Sequence, residues 1–195
     1  FEAYLVGGCV RDLVLNKKPK DWDVTTNAIP EQIISLFPKT FYENTYGTVG
    51  VVCEEATDNS LKVIEVTPYR IESDYSDKRR PDSVTFSKNI EDDLKRRDFT
   101  INALALSKDG SIIDLFNGQD DLKKGIIRTV GEAHARFSED ALRILRAVRI
   151  ATELGFHVEP ETEKALETHS PLLKHIALER IRDELSEFCC KIWNN

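Results

Sequence analysis

Two carboxylates separated by one residue, Asp21 and Asp23, are the first candidates for chemistry in this chain. In a β-strand, alternate side chains point to the same face and lie about 6–7 Å apart. Two carboxylates on one face can hold Mg²⁺ ions that also bind substrate phosphates, whereas Trp22 between them would point into the core. A lone Asp-X-Asp is more often a solvated acidic edge, so its neighbours must decide between the two interpretations.

A glycine pair, Gly7 and Gly8, stands shortly before these carboxylates, between an apolar segment and a predicted helix. Glycines at such a turn let a ligand approach the backbone, and N–H groups at the start of a helix can bind phosphate oxygens. Arg11 adds a guanidinium group one turn later. A tight turn with a surface arginine is the plainer interpretation, but the nearby Asp21 and Asp23 favour a phosphate site.

Glu65 lies among β-branched residues, where a lone glutamate is out of place. Strand alternation places it with Val63 and Thr67 on one face. Glu65 is therefore a candidate third carboxylate for a two-metal site. A strand with one solvated face explains the pattern equally well, and the sequence leaves both interpretations open.

Arg97 and Asp98 place a fixed cation beside a carboxylate at the end of a predicted helix. Such a pair can hold a ribose hydroxyl, because the carboxylate accepts a hydrogen bond and the guanidinium donates one. A surface salt bridge at the helix end is the alternative interpretation.

A second acid–base pair, Asp140 and Arg143, has the spacing that places two side chains on one helix face. Together the two groups offer acceptors and donors that match the Watson–Crick edge of a base. Arg146 and Arg149 continue the spacing and predict a basic stripe opposite the apolar face. An exposed, salt-bridged helix face is the alternative.

The elements that must position these residues change character along the chain. The pattern predicts strands and helices in the first two-thirds and only helices afterwards, which places a boundary near residues 130–137. The polar segment 69–89 lacks apolar periodicity and predicts a long, functional loop. We predict strands at 3–6, 22–25, 48–53 and 61–67, a hairpin around Asp109-Gly110, and helices at 10–15, 30–36, 90–98, 160–168 and 178–192, with a further helix between an N-cap at Ser138 and a C′ residue at Gly155.

Composition limits the classes of function. The chain has 195 residues, 41% of them hydrophobic, and a net charge of −7, which argues against a protein that binds nucleic acid over its whole surface. No apolar run approaches the roughly 20 residues of a membrane span, and no signal stretch opens the chain. The four cysteines match no zinc pattern and predict reduced thiols in the cytosol. The start at Phe1 and the absence of Met indicate a trimmed or engineered piece.

In this order and at these spacings, the motifs resemble the class II tRNA nucleotidyltransferase and poly(A) polymerase family, which includes CCA-adding enzymes. The resemblance extends over nearly the whole chain. It rests on residues 7–12 with 21–23, residues 96–103, residues 113–131, residues 139–143 and residues 178–185.

The resemblance implies an α+β fold. Residues 1–135 would form a polymerase-β-like nucleotidyltransferase head with a mixed β-sheet flanked by helices, and residues 136–195 an all-α neck for nucleobase recognition. The chain would stop before the body and tail domains that hold tRNA. Segment 70–89 would be a flexible loop that helps to switch from CTP to ATP, and Glu179 and Arg180 would support the neck.

A role for each candidate residue is also implied by the resemblance. Asp21 and Asp23 would bind two catalytic Mg²⁺ ions, and Glu65 would be the third carboxylate on the sheet. The implied nucleotide contacts are Gly7, Gly8 and Arg11 with the triphosphate, Arg97 and Asp98 with the ribose, Asp140 and Arg143 with the base of CTP or ATP, and Arg146 and Arg149 with further parts of the nucleotide.

The implied reaction is template-independent addition of CMP and AMP, from CTP and ATP, to the 3′ end of tRNA with release of pyrophosphate. The enzyme would be cytoplasmic and would need no membrane. A poly(A) polymerase, or an enzyme that adds only CC or only A, is the nearest alternative, although retention of segment 70–89 lowers the CC-only option. A nucleotide- or RNA-binding module without catalysis is more remote, because it would have no chemical need for Asp21 and Asp23.

Overall fold

The computed structural model describes residues 1–42, 46–72 and 83–192, with side chains through Phe188. The strands of this described part are β1 (Ala3–Val6), β2 (Asp23–Thr26), β3 (Thr40–Tyr42), β4 (Val49–Val52), β5 (Val63–Pro68), β6 (Arg70–Glu72), β7 (Val84–Phe86), β8 (Leu104–Leu106), β9 (Ile112–Asp114), β10 (Ile126–Ile127) and β11 (His157–Val158). The α-helices are α1 (Gly8–Val14), α2 (Pro30–Leu36), α3 (Ile90–Lys95), α4 (Gly118–Lys124), α5 (Ala133–Glu139), α6 (Leu142–Leu154), α7 (Pro160–His169) and α8 (Leu178–Ile192).

A seven-stranded sheet organises the first part of the chain, with the strand order β3-β4-β5-β2-β1-β8-β9. Neighbouring strands are antiparallel except β2 and β5, which run parallel, so the sheet is mixed as predicted. The parallel pair brings Asp23 on β2 directly opposite Glu65 on β5. The two predicted carboxylates therefore occupy one register position on neighbouring strands.

One face of β4 and β5 is closed by helix α2. Ile33 of α2 packs in a buried cluster with Val49, Val51 and Val66, which alternate along the two strands. Pro30 at the first turn of α2 presets the backbone angle that a helix needs, so the sequence signal for this helix is confirmed. The carboxylate of Glu65 lies outside this core, on the opposite face.

The main core joins the sheet to the helices that follow it. Val10 of α1, Phe99 and Leu104 are buried in the same cluster as Phe137 of α5 and Ile144 of α6. In addition, β10 pairs in parallel with β11, a two-residue strand within the segment predicted to be helical. The predicted boundary at residue 135 falls inside α5, and that division into two domains stays a prediction.

Two local predictions need correction. The helix predicted to start after Ser138 begins at Leu142, because Asp140 has an extended backbone and its carboxylate accepts a hydrogen bond from the Leu142 N–H. Ser138 lies within α5, whereas Gly155 ends α6 in the left-handed conformation as predicted. The segment predicted as a loop at 69–89 forms an antiparallel pair, β6 and β7, at its two ends, and its residues 73–82 lie outside the described part.

Cys9 and Cys53 are free thiols, as the cysteine spacing predicted, and the side chains of Cys189 and Cys190 lie outside the described part. In the ranges that the structure describes, none of the helices is both long enough and apolar enough to cross a membrane.

Candidate active site

Gly7 forms the turn that leads from β1 into α1, and its φ of +76° is a conformation that favours glycine. A Cβ atom at this position would lie 3.1 Å from Nη1 of Arg97 and 3.2 Å from Oδ2 of Asp23. The turn therefore brings a guanidinium and a carboxylate from distant parts of the chain against the same backbone position. A larger residue would push both groups away from their observed places.

The Arg11 guanidinium is held in place beside Gly8. Its Nε donates a hydrogen bond to Oδ1 of Asp12 at 2.8 Å, and its Nη1 donates to Oδ1 of Asn102 at 3.1 Å. A Cβ atom at Gly8 would lie 3.5 Å from Nη2 of Arg11, which shows how closely the side chain passes over the glycine backbone. The two partners fix the arginine in one orientation, as a preformed anion site requires.

Strand β2 begins between Asp21 and Asp23. Asp23 is the first residue of the strand, while Asp21 precedes it and is exposed, so the strand begins one residue later than predicted. Burial raises the pKa of Asp23, the charge of Asp21 raises it further, and the guanidinium groups of Arg97 and Arg146 lower it. Trp22 packs against the main core, and its Nε1 donates a hydrogen bond to Ser60 Oγ at 3.2 Å.

A cleft of about 610 Å³ lies in front of these groups. Gly8, Arg11, Asp21 and Asp23 line it from one side, and Arg149 of α6 lines it from the other. Lysines also border the cleft, at positions 17, 18 and 20. Asp12, Glu153 and Glu187 line it as well, so the cleft combines carboxylates with cations, which suits a ligand that carries phosphates and a divalent metal ion.

Glu65 is the predicted third carboxylate of the sheet. It is exposed and lies opposite Asp23 across the β2–β5 pair, but no group of three or more acidic, histidine or cysteine side chains suited to a metal occurs among the described residues. Asp21 and Asp23 offer the hard oxygen ligands that Mg²⁺ prefers.

Arg97 is oriented by a buried acid that the sequence analysis did not identify. Its Nη2 donates a hydrogen bond to Oδ2 of Asp93 at 3.0 Å, and the Asp93 side chain is fully buried. Burial would raise the pKa of Asp93, but Arg96 and Arg97 outweigh it and lower that pKa. The Nε of Arg97 is buried and has no hydrogen-bond partner among the described residues.

Asp98 forms a two-pronged ion pair with Arg146 of α6. Nε and Nη2 of Arg146 donate to Oδ2 of Asp98 at 2.9 and 2.7 Å, while the Phe99 N–H and Asn102 Nδ2 donate to its Oδ1. Burial would raise the pKa of Asp98, but the Arg146 guanidinium overcomes it and holds the pKa at about 2. The ion pair of Asp98 with Arg146 thus links the sheet-containing part of the chain to helix α6.

Asp140 and Arg143 do not share a helix face, which corrects the geometry predicted from their spacing. Asp140 precedes α6 in extended conformation, and its Oδ2 accepts a hydrogen bond from Arg180 of α8 at 2.9 Å. Arg143 lies in α6 and is only 8% exposed. Its Nη1 donates to Oε2 of Glu139 at 2.7 Å. Each side chain has its own partner, because the helix is interrupted between them.

The basic stripe predicted on α6 is neutralised by acids. Arg149 donates through Nε to Oε2 of Glu184 at 2.7 Å, and Nη1 of Arg146 lies 3.5 Å from Oε1 of the same glutamate. Glu184 belongs to α8 and is 9% exposed. The salt-bridged interpretation therefore describes this face better than a free basic stripe does, although Arg149 still borders the cleft.

Comparison with protein-family models matches residues 3–128 to the poly A polymerase head domain. Residues 155–188 match a second model, described as the probable RNA and SrmB- binding site of polymerase A. The chain belongs to the poly A polymerase head domain family. Nucleotidyltransferases of this family generally use divalent metal ions.

Individual members of the family are similar to this chain in sequence and in structure. The CCA-adding enzyme of Geobacillus thermodenitrificans (strain NG80-2) is 50% identical over 188 residues, which cover 96% of this chain and 45% of the relative. The crystal structure of the Bacillus stearothermophilus CCA-adding enzyme in complex with CTP has a TM-score of 0.84 at 46% identity, covering 95% of this chain and 44% of that one. The Thermotoga maritima CCA-adding enzyme complexed with tRNA_CCA has a TM-score of 0.75 at 29% identity, covering 96% and 42%. The chain thus spans about half the length of the curated relatives it matches.

Three side chains that the sequence did not predict hold the arginines of the site in place. They are Asn102, which orients Arg11; Asp93, which orients Arg97; and Glu184, which pairs with Arg149. Asn102 and Glu184 stand inside the quoted motifs at 96–103 and 178–185. A polar residue that interrupts an apolar run is the signal that could have identified Asn102, whereas Glu184 follows Arg182 and Asp183 in a charged stretch and gives no such signal.

Proposed function

We propose that this chain is the nucleotide-adding part of an enzyme that transfers CMP and AMP from CTP and ATP to the 3′ end of tRNA, with release of pyrophosphate. One observation carries the proposal: Gly8, Arg11, Asp21 and Asp23 line a single cleft that Arg149 borders from the helical side. The similarity to CCA-adding enzymes, including one in complex with CTP and one with tRNA_CCA, supports the choice of substrates. The enzyme would work in the cytoplasm.

The triphosphate is proposed to bind at the turn between β1 and α1. Gly7 and Gly8 allow a phosphate to approach the backbone, and Arg11 supplies a guanidinium that Asp12 and Asn102 hold in position. Arg97, beside Gly7, contributes a second guanidinium. These fixed cations would stabilise the negative charge that moves onto the pyrophosphate as it leaves.

Asp21 and Asp23 are the proposed ligands of divalent metal, with two Mg²⁺ ions expected. The fit rests on their chemistry: both carboxylates line the same cleft, and the charge of Asp21 raises the pKa of Asp23. When bound, Mg²⁺ supplies positive charge to the reacting phosphate. The RNA 3′-hydroxyl would enter between these carboxylates and Glu65, which we keep as a catalytic candidate because it lies in register with Asp23.

Sugar and base recognition are assigned to the residues at the junction with α6. Arg97 and Asp98 would select the ribose, and Asp140 and Arg143 would read the base, with Arg146 and Arg149 as further contacts. In the structure these groups are paired with other protein side chains, among them Glu139, Arg180 and Glu184. The assignment therefore requires that CTP or ATP exchange some of these partners for contacts with the nucleotide.

The nearest alternative function is that of a poly(A) polymerase, which the name of the matching family model favours. The RNA product of the reaction distinguishes the two functions. We expect the full-length protein, given tRNA that lacks CCA and each nucleotide in turn, to add C and then A and to stop. Growth of a long A tail without addition of C would overturn the CCA assignment. Addition of only CC or only A would point to a partial enzyme.

A non-catalytic nucleotide-binding module is the remaining alternative, and it would add no nucleotide in the same assay.

Base selection offers a second test of the proposed function. An Arg143→Lys variant should discriminate less between CTP and UTP, because lysine cannot reproduce the planar donor fork. Lower melting temperature with unchanged discrimination would assign Arg143 to the Glu139 salt bridge alone.

A further inference from the structure

A single row of residues crosses the sheet from the carboxylates to its edge. Asp23 lies opposite Glu65, Glu65 lies opposite Gly50, and Gly50 lies opposite Phe41 on the edge strand β3. Residues directly opposite one another on neighbouring strands point to the same face of a sheet. At about 4.8 Å per strand, the Phe41 backbone lies about 10 Å from that of Glu65.

The face that carries this row is the one that α2 leaves uncovered. Val49 and Val51, on either side of Gly50, belong to the core under α2, so Gly50 and Phe41 face the other way. Val63 shares the open face with Glu65 by alternation along β5. Phe41 is 43% exposed and Val63 is 42% exposed. Together they form an apolar ledge beside the carboxylates.

The Phe41 ring lies directly over Gly50. A Cβ atom at Gly50 would lie 2.3 Å from Cζ of Phe41, and 2.6 and 2.7 Å from its two Cε atoms. Any side chain at position 50 would therefore lift the ring from the sheet. The glycine holds the aromatic ring against the backbone, which distinguishes Phe41 from an ordinary exposed phenylalanine.

From this arrangement we propose that Phe41 is a stacking platform for the base of the 3′-terminal nucleotide of the RNA acceptor, with Val63 beside it. The inference rests on the proposed function, because it takes the RNA 3′-hydroxyl to be at the Asp23–Glu65 end of the row. A ribose there places its base over the neighbouring strands, β4 and β3. Stacking on an aromatic side chain is sequence-tolerant, which suits an acceptor whose last base changes as the chain grows.

Positive charge near the ledge agrees with an RNA ligand. Lys39 immediately precedes β3 and Lys62 precedes β5, and these strands enter the sheet from the same end because both are antiparallel to β4. Lys62 is exposed, and Lys39 forms an exposed ion pair with Glu54. Lys39 can exchange this exposed pair for a phosphate of a strand that crosses the ledge, because an exposed ion pair contributes little free energy.

The test compares two aromatic residues of the same strand in the full-length protein. Phe41→Ala should raise the KM for tRNA lacking CCA by about tenfold, within the range expected for loss of one base–aromatic stack, and leave the KM for CTP unchanged. Phe41→Trp should retain the wild-type value. Tyr42→Ala is the matched control, because Tyr42 is 52% exposed but faces α2, where Glu31 contributes to raising its pKa.

A binding measurement separates failure of this inference from failure of the proposed function. RNA that ends in a fluorescent adenine analogue should be quenched on binding to wild type and to Phe41→Trp. Quenching should be lost with Phe41→Ala and with Gly50→Ala, which keeps the ring but displaces it. Equal quenching in all variants, or an equal KM for tRNA in an active Phe41→Ala enzyme, would overturn the stacking role. An inactive wild type that still shows the Phe41-dependent quenching would instead count against the proposed function alone.

Discussion

Two aspartates, the half-buried Asp23 and the buried Asp98, show how two regions of this molecule give the same side chain a different pKa. Asp23, beside the cleft, has a raised pKa, because burial and the charge of Asp21 outweigh the more distant guanidinium groups. Asp98, at the junction with α6, has a pKa of about 2, because Arg146 approaches its carboxylate to within 2.7 Å and overcomes the effect of burial. Direct contact with a cation decides the difference, since both groups are desolvated.

The comparison assigns the two regions to different tasks. A carboxylate whose ionised form is destabilised in the free protein is stabilised when a cation binds beside it, as at a metal site. A carboxylate that is already paired with a guanidinium is stabilised little further by a second cation, and its ion pair contributes to the stability of the fold instead. We therefore expect substitutions of the cleft carboxylates to change activity with little loss of stability, whereas loss of Asp98 should lower stability in addition to its effect on ribose selection.

The largest effect should come from Asp23→Asn. Loss of one charge of the proposed metal site should lower the rate of nucleotide addition by about a thousandfold or more, which corresponds to about 4 kcal/mol of barrier. The melting temperature should stay equal or rise, because a half-buried carboxylate with a raised pKa destabilises the folded state at neutral pH. Rates of CMP incorporation and thermal unfolding measure both, with Asp120→Asn on the exposed side of α4 as control.

Asp98→Asn should act in the opposite way and cost about 3 kcal/mol of unfolding free energy, because it removes the nearer of the two carboxylates that pair with Arg146 and leaves only Glu184, 3.5 Å away. Chemical denaturation measures the loss. In the double variant with Arg146→Met, much of this stability should return, since no charge is left unpaired. A double variant as unstable as the single one would show that the ion pair is not the cause.

The pH dependence of stability follows from the same ion pair. The pKa of Asp98 is depressed to about 2 in the folded protein, from an ordinary value of 3.8, so its contribution is present above about pH 4 and is lost as the pH falls toward 2. A shift of this size corresponds to about 2 kcal/mol. Wild type should lose this amount between about pH 4 and pH 2, and Asp98→Asn should lose correspondingly less.

The smallest effect concerns Arg180, which joins α8 to Asp140. Its side chain is 25% exposed, so Arg180→Ala should cost about 1 kcal/mol of unfolding free energy. Arg182→Ala is the matched control, because Arg182 lies on the same helix, is 72% exposed and pairs only with its neighbour Asp183. Equal losses from the two variants would contradict a structural role for the Asp140–Arg180 pair.

Local signals predicted much of the fold. Pro30 and Pro160 mark the starts of α2 and α7, and Gly155 marks the end of α6, because each residue restricts or permits particular backbone angles regardless of its tertiary surroundings. The turn at Asp109-Gly110 was predicted for the same reason. The family resemblance supplied the α+β architecture, which strand patterns alone do not determine.

Long-range pairing is what the sequence could not provide. Asp140 has the i, i+3 spacing to Arg143, yet it pairs with Arg180, because its side chain caps the start of α6 and ends the preceding helix. The β6–β7 pair was missed because each strand has only three residues, too few to show an alternation, and because distant contacts such as the one between Glu72 and Arg96 hold it in place. The spacing of residues along the chain gives no signal for a contact between two residues that lie tens of positions apart.

Magnesium-dependent binding of CTP tests the central claim most directly, namely that Asp21 and Asp23 hold the metal that serves the nucleotide. Calorimetric titration of wild type with CTP should show tight binding with Mg²⁺ and much weaker binding without it. The Asp21→Asn, Asp23→Asn double variant should bind CTP equally weakly in both conditions. A double variant that retains the full stimulation by Mg²⁺ would contradict the account.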